Sequence, residues 1–131
     1  MTETPANSGY YFGGYGYNGY GTNASNGLGY RYESDSGAPA AGGYSLSDIE
    51  DPSRMMMLSE PVSNNGILRG YGTSYIPGDR HNGGSNVAHV DGHAKWYTKE
   101  TLNPNKTSTW SDRTHPAWPY WVRKPSTTTG Y

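Results

Sequence analysis

This 131-residue sequence predicts a mainly β or α+β fold: a small antiparallel sheet, long Gly/Tyr-rich loops and helices of one turn only. Three observations predict it. Asp91-Gly92 separates two short runs, Asn86 to Val90 and His93 to Tyr97, and Asp-Gly between such runs is a strong hairpin signal. Nineteen glycines and nine prolines punctuate the chain so often that no long helical period survives. Leu, Ile, Val and Phe together supply thirteen residues, against thirteen Tyr and four Trp, so the core must be aromatic, thin and wet at its edges. Scarce aliphatics alone would suggest disorder, but a net charge of −1 argues against it.

The elements follow in order. Residues 1–45 form a Gly/Tyr-rich looped segment, in which Gly and Asn recur every two or three positions and make tight turns easy. Ser47-Asp48-Ile49-Glu50 fits a capping box and predicts one helical turn, which Pro52 stops. Arg54 to Ser59 is a short apolar run between breakers and reads as a buried strand. Asn64-Asn65-Gly66 and Pro77-Gly78 are turns around Ile67-Leu68. The sheet core covers residues 46–102, with its hairpin at 86–97. A two-residue turn would place Val87 opposite Trp96 and His89 opposite Ala94, so that these four share the core face. Thr98 to Leu102 predicts another helical turn. Residues 103–131, with three Trp and several Pro, read as an extended strap across the fold.

Composition removes several functions. No basic patch stands out, so nucleic acid is not an expected partner. No run of about 18 apolar residues occurs, so no membrane span is expected. The absence of cysteine rules out disulfides and thiolate-held zinc. Catalysis is not expected either: His81 and Asp91 could form a general-base pair, but no nucleophile is placed beside them and GxSxG is absent.

Four candidate sites remain. His81, Asp91 and Gly92 suggest a structural clamp in which the imidazole pins the turn. His81, Asp91, His93 and Asp79 are a candidate zinc set, and a calcium site would draw instead on Asp79, Asp91, Asn82 and Asn86. No other cofactor is expected. Asn23-Ala24-Ser25 and Asn105-Lys106-Thr107 match the N-glycosylation pattern, and Thr127, Thr128 and Thr129 are candidate O-linked positions. A face made of Met55, Met57, Val87, His89, Ala94 and Trp96 would be left open by one-turn helices and would need a partner.

Arg80-His81-Asn82-Gly83-Gly84, nine residues from His81 to Asp91-Gly92, and then His93-Ala94-Lys95-Trp96 resemble the H-X9-DG domain found at the C-terminal end of many bacterial prepilin-like proteins. Tyr15 to Gly21 (YGYNGYG) resembles that family's Tyr-Gly-Tyr-Asn segment, and Asp51-Pro52-Ser53-Arg54 with Met56-Met57-Leu58 resembles its loop-then-strand segment. The matching segments run from residue 15 to residue 102. The resemblance implies one pilin-like head over 1–131, belonging to a type IV pilus or pseudopilus filament at the cell surface. It also implies a sheet packed on an N-terminal pilin helix, and because pseudopilin heads can bind calcium it adds weight to the calcium set among the candidate sites. The family's processing site and long hydrophobic helix are not seen here. The expected partners are therefore a pilin-type helix, from a separate short pilin or a segment lost by truncation, and further copies of the chain. The alternative is a secreted carbohydrate- or surface-binding module using exposed Tyr and Trp.

Overall fold

The computed structural model describes residues 14–23, 25–29, 44–63 and 66–127. Most of the Gly/Tyr-rich segment, Asn64, Asn65, Thr128 and Thr129 lie outside the described residues. The architecture is an antiparallel four-stranded sheet with short helices, in line with the expected class. Strands β1 (Gly16–Tyr17), β2 (Met56–Ser59), β3 (Gly84–His89) and β4 (Ala94–Thr98) lie side by side in sequence order. Two helices of one turn follow, α1 (Lys99–Leu102) and α2 (Trp118–Trp121). Thr98 caps α1, its hydroxyl accepting the Thr101 N–H at 3.3 Å.

The predicted capping box is displaced. The turn is a 3-10 turn at Leu46–Asp48, and Asp48 reaches back to the Ser45 N–H at 3.1 Å. Ser45 therefore does what was expected of Ser47.

The hairpin corrects the predicted register. Val87 pairs with Lys95 and Ala88 with Ala94, one position away from the two-residue-turn alignment. The loop has three residues, Val90-Asp91-Gly92. The Gly92 N–H closes a turn on the His89 carbonyl at 3.0 Å, and Gly92 itself sits at φ +96°. Asp-Gly serves both turn types: here Gly92 takes the left-handed position of a bulge that follows a type I turn. A one-residue slip moves a whole strand's side chains to the other face. Ala94 and Trp96 therefore lie opposite the core, and His93, Lys95 and Tyr97 share the face of Val87 and His89.

A second irregularity sets β2. Met56 pairs with His89 but Leu58 pairs with Ala88, so Met57 is the extra residue of a bulge. The bulge sends Met56 into the core and Leu58 to the outer face.

The core face is closed by this chain's own C-terminal segment. Met56, Leu68, Val87, Leu102, Trp110, Trp118, Trp121 and Val122 form one buried cluster, with Tyr71, Tyr97 and Tyr120 at its margin. The expected strap is not extended throughout, because it winds into α2, with Pro119 in the first turn where no N–H is needed. Each indole N–H meets a carbonyl: Trp110 to Gly70 at 2.5 Å, Trp118 to Pro125 at 3.0 Å and Trp121 to Leu102 at 2.9 Å. Three large aromatics can therefore be buried without stranding a donor.

The predicted open face is split three ways. Val87 is buried beneath the C-terminal segment, and His89 is buried among the Arg54 and Met55 carbonyls, His93 and Tyr97. Met55 and Met57 belong to a second small cluster with Leu28, Ile49 and Val90. Ala94 and Trp96 point to the other side of the sheet. The Trp-rich segment supplies the layer that one-turn helices could not.

Candidate functional site

His81 and Asp91 do not clamp one another. β3 lies between them, and its six residues at about 3.3 Å per residue hold the two at opposite ends of the strand. The spacing His-X9-Asp-Gly thus measures one strand and the turns at its ends. His81 opens β3. His81 and Gly84 exchange backbone bonds of 3.1 and 3.2 Å across Asn82-Gly83, both at positive φ (54° and 82°), a two-residue hairpin turn. The His81 ring meets the Glu60 carboxylate, Nε2 to Oε2 at 2.5 Å, and the His81 carbonyl accepts the Trp96 indole N–H at 2.8 Å.

Asp91 meets His93 instead. Its Oδ1 lies 2.5 Å from His93 Nδ1 and also accepts the His93 backbone N–H at 3.1 Å. These two contacts hold the Asp91 carboxyl below the usual carboxylate range. Among the described residues no three His, Asp or Glu side chains converge on a point where they could share a metal ion. The proposed set of His81, Asp91, His93 and Asp79 is divided between the two ends of β3, and Asp79 faces Lys99 Nζ at 3.9 Å. Asn82 lies in the His81 turn and Asn86 on the outer face, so the calcium set is not gathered either.

At the hairpin end four side chains form a linked polar network. His89 is fully buried. Its Nδ1 lies 3.0 Å from the Arg54 carbonyl and 3.3 Å from that of Met55. Carbonyls only accept, so Nδ1 carries the proton and Nε2 accepts the Tyr97 hydroxyl at 2.7 Å. The His93 ring stacks on His89 with centroids 4.3 Å apart, and Tyr97 in turn meets Tyr120 edge-on at 5.3 Å. Burial first, and the neighbouring His93 second, lower the His89 pKa. Burial, with Tyr120 beside it, raises that of Tyr97. Both groups are thus held neutral, as suits a structural tie beneath the hairpin.

The network predicts a pH dependence. The folded pKa of His89 lies below its ordinary value of 6.5, so as pH falls through that value the unfolded chain takes up the proton first. Stability is expected to be flat above about pH 7 and to decline as pH drops below about 6.5. Melting curves between pH 8 and pH 5 for the parent and for His89→Gln test this. The variant is expected to lose that part of the slope, and an unchanged slope would remove His89 as its cause.

The other face of the sheet carries a different pattern. Tyr17 lies opposite Leu58, Leu58 opposite Ala88, and Ala88 opposite Ala94, an apolar row crossing all four strands. Directly opposed residues on antiparallel strands share a face. Gly16 confirms the orientation at β1: a Cβ there would meet Leu68 of the core, so Tyr17 points outward. Tyr17 is 38% exposed and Trp96, beside the row, 43%. Leu58 and Ala88 are half-buried and Ala94 is exposed. The Trp96 ring lies on Gly84, where an added Cβ would come within 2.7 Å of the indole. With its N–H on the His81 carbonyl, the ring is held flat, one side on the strand.

Sequence reasoning missed the buried polar knot that joins the chain ends. Asn18 bonds β2 and α2, Asn26 Oδ1 accepts the Thr22 N–H at 2.7 Å, and Arg123 Nη1 donates to the carbonyls of Ser25, at 2.9 Å, and Gly27. Its signal was the Asn within YGYNGYG, read from sequence as a turn former and as part of the family resemblance, but not as a buried hydrogen-bonding residue. Of the glycosylation candidates, Asn23 Oδ1 is engaged by the Ser25 N–H and hydroxyl, Asn105 is exposed at φ +53°, and the Thr127 hydroxyl donates to the Lys124 carbonyl. No family model, curated protein or solved structure matches the chain. No helix among the described residues is long and apolar enough to cross a membrane.

Proposed function

We propose that the chain is the globular head of a pilin-like, cell-surface filament subunit, and that the outer sheet face is where a pilin-type helix packs. The row Tyr17–Leu58–Ala88–Ala94 carries this reading. A sheet face of this composition needs a covering layer, and the Trp-rich segment has gone to the opposite side. The small Ala88 on β3 and Ala94 on the edge strand β4 leave room on that half of the face, with Tyr17 and Leu58 on β1 and β2 and Trp96 beside Ala94 on β4. A helix laid there would bring its own apolar stripe against the strands. The H-X9-DG resemblance supports the same assignment. The proposed partner face keeps Ala94 and Trp96 from the set expected by sequence and takes Tyr17, Leu58 and Ala88 in place of Met55, Met57, Val87 and His89.

The alternative, a secreted binding module, is favoured by one observation, the flat and clamped Trp96 ring, which suits stacking on a sugar. One experiment separates the two. Antibody to the chain is applied to surface filaments sheared from producing cells and viewed by electron microscopy, for the parent and for Ala94→Glu. The expected result is decorated filaments for the parent and their loss for a variant that still folds. Chain recovered only as dispersed protein, with Trp96 fluorescence quenched by an oligosaccharide, would favour the binding module.

A further inference from the structure

We propose that two copies of this chain join edge to edge along β4, in antiparallel register about Trp96. β4 is an outermost strand, and among the described residues nothing pairs with its far side. The phase of its ladder is fixed by the His89 N–H to His93 carbonyl bond of 2.9 Å, which makes His89/His93, Val87/Lys95 and Ser85/Tyr97 the hydrogen-bonded pairs. The alternate residues turn their backbone groups away from β3. Ala94 and Trp96 therefore present N–H and C=O outward and Thr98 presents its N–H, while the Thr98 carbonyl enters the first turn of α1.

An edge of this kind is a template for another strand. The second copy is the fitting occupant because the edge is complementary to itself. A two-fold centred on Trp96 sets Trp96 against Trp96, Ala94 against Thr98, and Lys95 against Tyr97. The two Trp96 residues exchange two backbone bonds, and each Thr98 N–H meets the Ala94 carbonyl of the other copy. A small side chain then lies beside a hydroxyl, and each Lys95 ammonium faces a Tyr97 ring, a contact the chain already makes internally at 5.2 Å, while each indole stays over its own Gly84, back from the seam. The operation closes on itself and makes a two-fold dimer with a continuous eight-stranded sheet. One feature opposes it: the two Lys95 side chains fall diagonally across the seam and repel. Lys95 thus restrains the edge and keeps the contact weak. The seam shares Ala94 and Trp96 with the proposed helix face, but it is made by backbone groups at the sheet's edge, and the self-association of the isolated chain reads it without any filament.

Two measurements on the full chain test this. In sedimentation equilibrium the parent is expected to show a concentration-dependent species of twice the 14.3 kDa chain mass, strengthened by salt, and Lys95→Gln to associate severalfold more tightly. The chain has no cysteine, so introduced thiols report geometry without background. The double variant Ala94→Cys/Thr98→Cys places each thiol opposite its partner in the other copy, within reach of a disulfide. It is expected to form a covalent dimer in air, and Ala94→Cys alone to form no crosslink, since the two Ala94 residues lie four positions out of register. Parent and Lys95→Gln that both sediment as monomers at the highest attainable concentration would overturn the proposal. Crosslinking by Ala94→Cys alone as readily as by the double variant would do the same.

Discussion

Asn18→Ala is expected to destabilise the fold by about 3–5 kcal/mol, as the sum of several buried hydrogen bonds left half-made. The side chain uses every group it has. Oδ1 accepts the Gly21 N–H at 3.1 Å, and Nδ2 donates to the Met56 carbonyl at 3.0 Å and the Trp121 carbonyl at 3.2 Å. Its backbone is tied as well, N–H to the Met57 carbonyl and C=O from the Leu28 N–H, both at 2.9 Å. One residue thus joins the N-terminal loop, β2 and the last turn of α2. Alanine leaves the Trp121 carbonyl, an orphan of a helix C-terminus, buried without its partner. Asn18→Asp is expected to be no better, because it sets a carboxylate oxygen against two carbonyls. Urea unfolding measures both, and midpoints equal to the parent's would show that the knot contributes little.

Trp121→Ala is the second large effect, with an expected loss of about 3–5 kcal/mol. The side chain is fully buried, its N–H is held by the Leu102 carbonyl, and its ring is so close to Gly70 that an added Cβ would sit 3.1 Å from Cδ2. Truncation removes one of the two largest fully buried side chains of a core that has few aliphatics with which to fill the cavity. Trp96→Ala is the internal comparison. Trp96 is 43% exposed, so its loss is expected to cost far less. Thermal and urea unfolding of the two variants give the order directly. A Trp96→Ala variant less stable than Trp121→Ala would mean that the filling of the core has been assigned to the wrong tryptophans.

The difference between these two tryptophans also shows how far the sequence could be read. The alternation of residues 86–97 around Asp91-Gly92 located the hairpin but not its register. A two-residue turn and a three-residue turn with a bulge both use Asp-Gly, and the choice between them decides whether Trp96 faces core or solvent. The candidate site failed for a related reason. His81, Asp91 and His93 are close in sequence, but a strand is the least compact way to connect two residues, so the motif's two ends are held apart. Asn82-Gly83 was as strong a turn signal as Asp91-Gly92, and its recognition would have placed His81 at the start of β3.

The sequence by itself determined the antiparallel sheet, its hairpin, the one-turn helix after Thr98 and the aromatic character of the core, because these follow from local turn chemistry, side-chain alternation and composition. Only the tertiary structure decided which sheet face the Trp-rich segment covers, that Met57 bulges and turns Leu58 outward, and that Asn18 and Arg123 tie the chain ends together. These depend on contacts between residues up to 103 positions apart, for Asn18 and Trp121, and are settled by which buried carbonyl finds a donor once the whole chain has packed.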